Sequence, residues 1–150
     1  MSAISKDSEL KQALHQLDPV RRRGVCAAFV DSVLALNTDK RVARAIATAR
    51  DPDAGEDDLL TAFKAARAAT VESRTRCGAD CNWDEQAAHF VARATAAAVA
   101  PEGHCKAPDP PWQVVMSCRM ARNCALIEAD DDGDNAENEV QYKIMNDRLG

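Results

Sequence analysis

Aromatic residues are scarce: one Tyr, three Phe and two Trp among 150 residues, 4% in all. A core cannot then be filled by large rings. The 29 alanines must supply it instead, through backbones that approach closely, and this favours tightly packed helices. Runs of alternating, β-branched residues are missing as well, which argues against a sheet. No stretch approaches the about 18 consecutive apolar residues of a membrane helix. The opening "MSAISKDSELKQ" lacks the apolar run of a secretory signal, so a soluble, cytoplasmic chain is expected. Basic residues are not in excess either. With 19 Lys and Arg against 24 Asp and Glu, the net charge is -5, which disfavours nucleic acid as a partner.

What is present reads as one all-α domain over residues 1–150, a bundle of five to seven helices on an alanine-rich core. Ser5 or Asp7 starts a first helix ending near Asp18. Pro19 opens a second, reaching about Asn37 with Val25, Cys26, Phe29, Val33 and Leu36 inward. Asp39 caps "KRVARAIATAR". After "DPDAGEDD" comes a helix with Leu59, Leu60, Phe63, Ala66 and Val71 inward. The segment "RCGADCN" interrupts the pattern. Asn82 then caps a helix whose inward stripe is Trp83, Ala87, Phe90, Val91, Ala94 and Ala98. Four prolines make "PEGHCKAPDPP" an extended connection. The helix from Pro111 turns Val114, Ala121, Cys124 and Ile127 inward, and "VQYKIMNDRLG" forms a short last helix.

Acidity is concentrated in "EADDDGDNAENE", residues 128–139, with seven acids and no base. Residues 1–76 carry a net charge of +2 and residues 77–150 one of -7. With Gly133 at position 6 of a calcium loop, Glu128, Asp130 and Asp132 fall at positions 1, 3 and 5. Asp134 then falls at 7 and the bidentate Glu139 at 12. Two features run against calcium: Glu128 is longer than the usual Asp, and Asn135 replaces the apolar residue that pairs two such loops. The expectation is an acidic linker between helices, with calcium as the alternative.

Cys77, Cys81, His104 and Cys105 could supply four zinc ligands, although only one pair has suitable spacing and neighbours His104 and Cys105 cannot easily share one ion. Free thiols are expected in the cytosol. Cys26, Cys118 and Cys124 fit core packing. His89 projects with Gln86 and Arg93 on the polar side of its helix. No G-x-S-x-G, H-E-x-x-H or phosphate loop occurs, so no local motif supports catalysis. Trp83 reads as core, and Trp112 as either core or a partner anchor.

The stretches "DKRVARAIATARD", "LLTAFKAARAA" and "AAHFVARATAAAVAPEG", between Cys26 and Ile127, resemble small alanine-rich bacterial accessory proteins, including immunity proteins of polymorphic toxin systems. The resemblance implies an all-helical fold that binds a protein partner, and it brings no catalytic or ligand residues. The expected function is therefore non-catalytic protein binding, with Asp130, Asp131, Asp132 and Trp112 as contacts and no resident cofactor. Self-association into a homo-oligomer is compatible with that. The alternatives are a calcium or zinc protein, or a thiol-dependent small subunit of an enzyme complex.

Overall fold

The computed structural model describes residues 3–76 and 82–149. Among them are seven α-helices and no strand: α1 (Asp7–Gln16), α2 (Pro19–Asp31), α3 (Lys40–Arg50), α4 (Glu56–Arg76), α5 (Trp83–Val99), α6 (Pro110–Glu128) and α7 (Glu137–Leu149). A 3-10 turn, Leu34–Leu36, links α2 to α3. The chain is all-α, as its periodicity predicts. Among the described residues no helix is long and apolar enough to cross a membrane.

The helix starts follow from their capping residues. Asp18, Asp39, Asn82 and Asp109 each accept a hydrogen bond from a first-turn backbone N–H, satisfying a donor that has no partner within the helix. Prolines at the first turn of α2 and α6 lack the N–H and so need no such acceptor. α1 differs from expectation. Its N-cap is Lys6, which makes no side-chain bond, while the Ser5 N–H donates to Glu9 Oε1 (3.1 Å). α2 ends at Asp31 rather than near Asn37. Asn37 instead donates to the Ala88 carbonyl (2.8 Å) and accepts from Asp39 N (2.7 Å), fastening this connection to α5.

α5 is the hub, in contact with α2, α3, α4 and α6. Its buried side chains are small: Ala87, Val91, Ala92, Ala94, Thr95, Ala97, Ala98 and Val99. The Thr95 hydroxyl donates to the Val91 carbonyl (2.8 Å), so its polar atom enters the core satisfied. Phe29, Leu10, Leu14, Ile46 and Met145 fill the space between helices.

Three inward assignments are corrected. Val71 is 56% exposed, because it lies about 140° around α4 from buried Ala66. Ile127, 42% exposed, lies about 180° around α6 from buried Cys118. Trp83, 41% exposed, is the first residue of α5, one turn before Ala87, the first fully buried position. Packing at α5 sets a clear test. Ala94→Leu should destabilise the protein by about 1–3 kcal/mol, because a fully buried Cβ has no room for three more carbons. Urea denaturation measures this, and an unchanged midpoint would show that α5 is loosely packed.

Candidate functional site

The acidic stretch is not a free linker. Glu128 closes α6, α7 begins at Glu137, and the connection between them is residues 129–136. Asp130 has φ 53, and the Asp131 N–H donates back to the Leu126 carbonyl (2.9 Å), so α6 ends in a left-handed cap. Asp131 Oδ1 accepts from Gly133 N (2.8 Å). Asn135 accepts from Glu137 N (3.0 Å) and donates to the Arg119 carbonyl (2.9 Å).

Glu137 lies inside the fold, 3% exposed. Arg122 Nε donates to its Oε1 (3.1 Å), the Ser32 hydroxyl meets its Oε2, and Arg122 Nη2 donates to the Ser32 carbonyl (2.8 Å). One carboxylate thus ties α2, α6 and α7. Arg119 forms a second tie: it pairs with both oxygens of Asp7 (2.7 and 3.0 Å) and donates to buried Gln141 (2.8 Å). Hydrogen bonding from Arg119, helped by the Tyr142 hydroxyl and opposed by burial, holds the Asp7 carboxyl below its ordinary value.

The other six acids of the stretch, Glu128, Asp130, Asp131, Asp132, Asp134 and Glu139, are exposed, and none pairs with a basic side chain among the described residues. They adjoin an apolar stripe on α6. Met116, Met120 and Ile127 are 41%, 45% and 42% exposed and lie within about 40° of one another around the helix, with exposed Asn123 on the same side between Met120 and Ile127. Trp112 begins this side of the helix. Its half-buried ring is flanked by Lys11 Nζ at 5.4 Å and the Arg119 guanidinium at 5.7 Å. Trp112 is therefore partly core and partly surface, and the stripe with its acidic end is the candidate site. Sequence periodicity missed the stripe because it assigned Ile127 inward.

The metal candidates fall on several elements. Of the calcium candidates, Glu128 closes α6, Asp130, Asp132 and Asp134 lie in the connection, and Glu139 lies in the first turn of α7. The His104 ring packs edge-on against Phe63 (6.2 Å), Cys105 lines a cavity, and Cys77 and Cys81 lie outside the described residues. Among the described residues no group of three or more His, Cys, Asp or Glu is arranged to hold a metal. Cys26, Cys118 and Cys124 are buried free thiols. Burial pushes Cys26 up to about 12 and Cys118 well above its ordinary value, so neither is a ready thiolate.

His89 is half-buried instead of wholly on the polar side. Its Nδ1 lies 2.9 Å from Ser73 Oγ, which itself donates to the Thr70 carbonyl (2.8 Å). The contact ties α4 to α5. Residues sixteen apart on two helices leave no local sequence pattern, so the pair was not legible beforehand.

No family model, no curated protein and no solved structure matches this chain.

Two tests follow from this geometry. Burial, with the nearby Arg93 and Arg74 charges, holds His89 below its ordinary 6.5 against the opposing Thr70 carbonyl. The fold therefore favours neutral imidazole: stability is full above the unfolded pKa and declines as pH falls through 6.5 toward the lower folded value. Between pH 7.5 and 5, His89→Gln should flatten the pH dependence of the denaturation midpoint (both pH values span about one unit or more around the free histidine). Parallel profiles would remove His89 as the cause. Asp130→Gly should raise stability by about 0.5–1 kcal/mol, since glycine adopts this left-handed backbone without steric cost. A lower thermal midpoint would contradict that assignment.

Proposed function

We propose that this chain is a non-catalytic protein that works by binding another protein, in the manner of an immunity or accessory factor. The observation that carries the reading is the adjoining of an exposed Met116–Met120–Ile127 stripe and six unpaired acids on the α6–α7 side. Methionines adapt to varied apolar partners and are enriched at interfaces. Unpaired carboxylates beside them favour a partner with a basic rim around an apolar centre, and they speed its encounter through long-range attraction. Trp112 supplies a rigid ring at the other end of the stripe.

Affinity capture from the native host, followed by purified binding measurements, tests the reading. Met116→Asp with Met120→Asp should reduce affinity for the captured partner at least about tenfold, while surface changes of this kind alter stability by only about 0.5 kcal/mol. Replacing Asp130, Asp131 and Asp132 by Asn should slow association and flatten its salt dependence. Full affinity in the methionine variant would place the contact elsewhere. An unchanged salt dependence in the second would remove the acidic segment from it. Sedimentation at rising concentration separates a foreign partner from a second copy of the chain.

A further inference from the structure

A cavity of about 520 Å³ lies between α2, α4, α5 and the segment leading into α6. Its apolar wall includes Leu59, Ala97, Ala98, Pro101, Pro110 and Pro111. Three charged residues line it: Arg22, Arg23 and Glu102. This size, with apolar walls and few polar groups, suits a small organic ligand.

The two arginines are held differently from those that pair with acids. Arg21, Arg41, Arg50, Arg119 and Arg122 each face a carboxylate. Arg22 is held by backbone carbonyls, with Nε on Leu14 (2.9 Å) and Nη2 on Leu17 (2.6 Å) and His15 (3.1 Å). Arg23 donates in the same way to Ala49 (3.0 Å) and Asp51 (2.8 Å). Among the described residues no carboxylate pairs with either. Carbonyls at the C-terminal ends of α1 and α3 fix each guanidinium in place without supplying a full countercharge, which leaves a preorganised cation beside the cavity. Cys26 also lines the cavity.

The rim is shaped before any ligand arrives. Pro101 to His104 form a turn closed by His104 N–H to the Pro101 carbonyl (3.0 Å), with Gly103 at φ 83. The His104 ring against Phe63 pins that turn to α4.

We propose that this cavity binds a small monocarboxylate with an apolar body, its carboxylate at Arg22 and Arg23 and its chain along Ala97, Ala98 and Pro111. The site shares no residue with the α6 stripe, so its fate is independent of the protein-binding reading. Sodium octanoate is the probe, titrated calorimetrically into the full chain. One saturable site with a dissociation constant on the order of 1 mM or tighter is expected. Octan-1-ol and octylamine should bind at least about tenfold more weakly, since neither offers an anion to the arginines. Arg23→Gln should weaken octanoate several-fold, and Ala97→Leu, which narrows the cavity along the proposed chain path, should weaken it as well. Circular dichroism establishes that each variant is folded; should Ala97→Leu unfold, the ligand series and Arg23→Gln still decide. Absence of saturable octanoate binding, octan-1-ol binding as tightly as octanoate, or undiminished binding to folded Ala97→Leu would each overturn the proposal.

Discussion

Helix α5 touches α2, α3, α4 and α6 at once, and this is possible only because its buried residues are small. Four neighbours around one helix leave little radial room. Alanine at 87, 92, 94, 97 and 98 lets the backbones close in, and dispersion contacts replace the bulk that scarce aromatics cannot provide. The larger buried side chains, Phe29, Leu10, Leu14 and Met145 among them, come from α1, α2 and α7 instead. Everything at the surface is placed by this arrangement, because it decides which side of α4 and α6 is covered.

Around that hub, charged residues act as ties between elements remote in sequence. Arg119 joins α6 to Asp7 of α1 and Gln141 of α7; Arg122 and Ser32 hold buried Glu137. Among the described residues no buried side-chain nitrogen or oxygen lacks a partner. A buried carboxylate such as Glu137 is tolerated only with its charge paired and its lone pairs occupied. These ties turn part of a conspicuous acidic run into structure and leave the remaining acids for solvent or a partner.

Much of the fold was legible because its signals are local. Asp39 and Asn82 cap the helices they were expected to cap, and Pro101 follows a helix end, since capping and proline chemistry act over a few residues. The errors lie where a decision needs a neighbour. Val71 and Ile127 are apolar at plausible helical spacing, yet both are exposed. Glu137 looked like one more solvated acid until Arg122 and Ser32 were brought to it from other elements. His89 looked polar-facing until Ser73 met it across two helices.

The sequence by itself determined the helical class, most helix boundaries, the small-residue core and the position of the acidic run. Periodicity, capping and composition are properties of a few neighbouring residues. Only the tertiary structure decided which acids are free, which arginines lack a carboxylate, and that Met116, Met120 and Ile127 share an uncovered face. Those outcomes depend on which helices pack together, and a linear pattern does not carry that information.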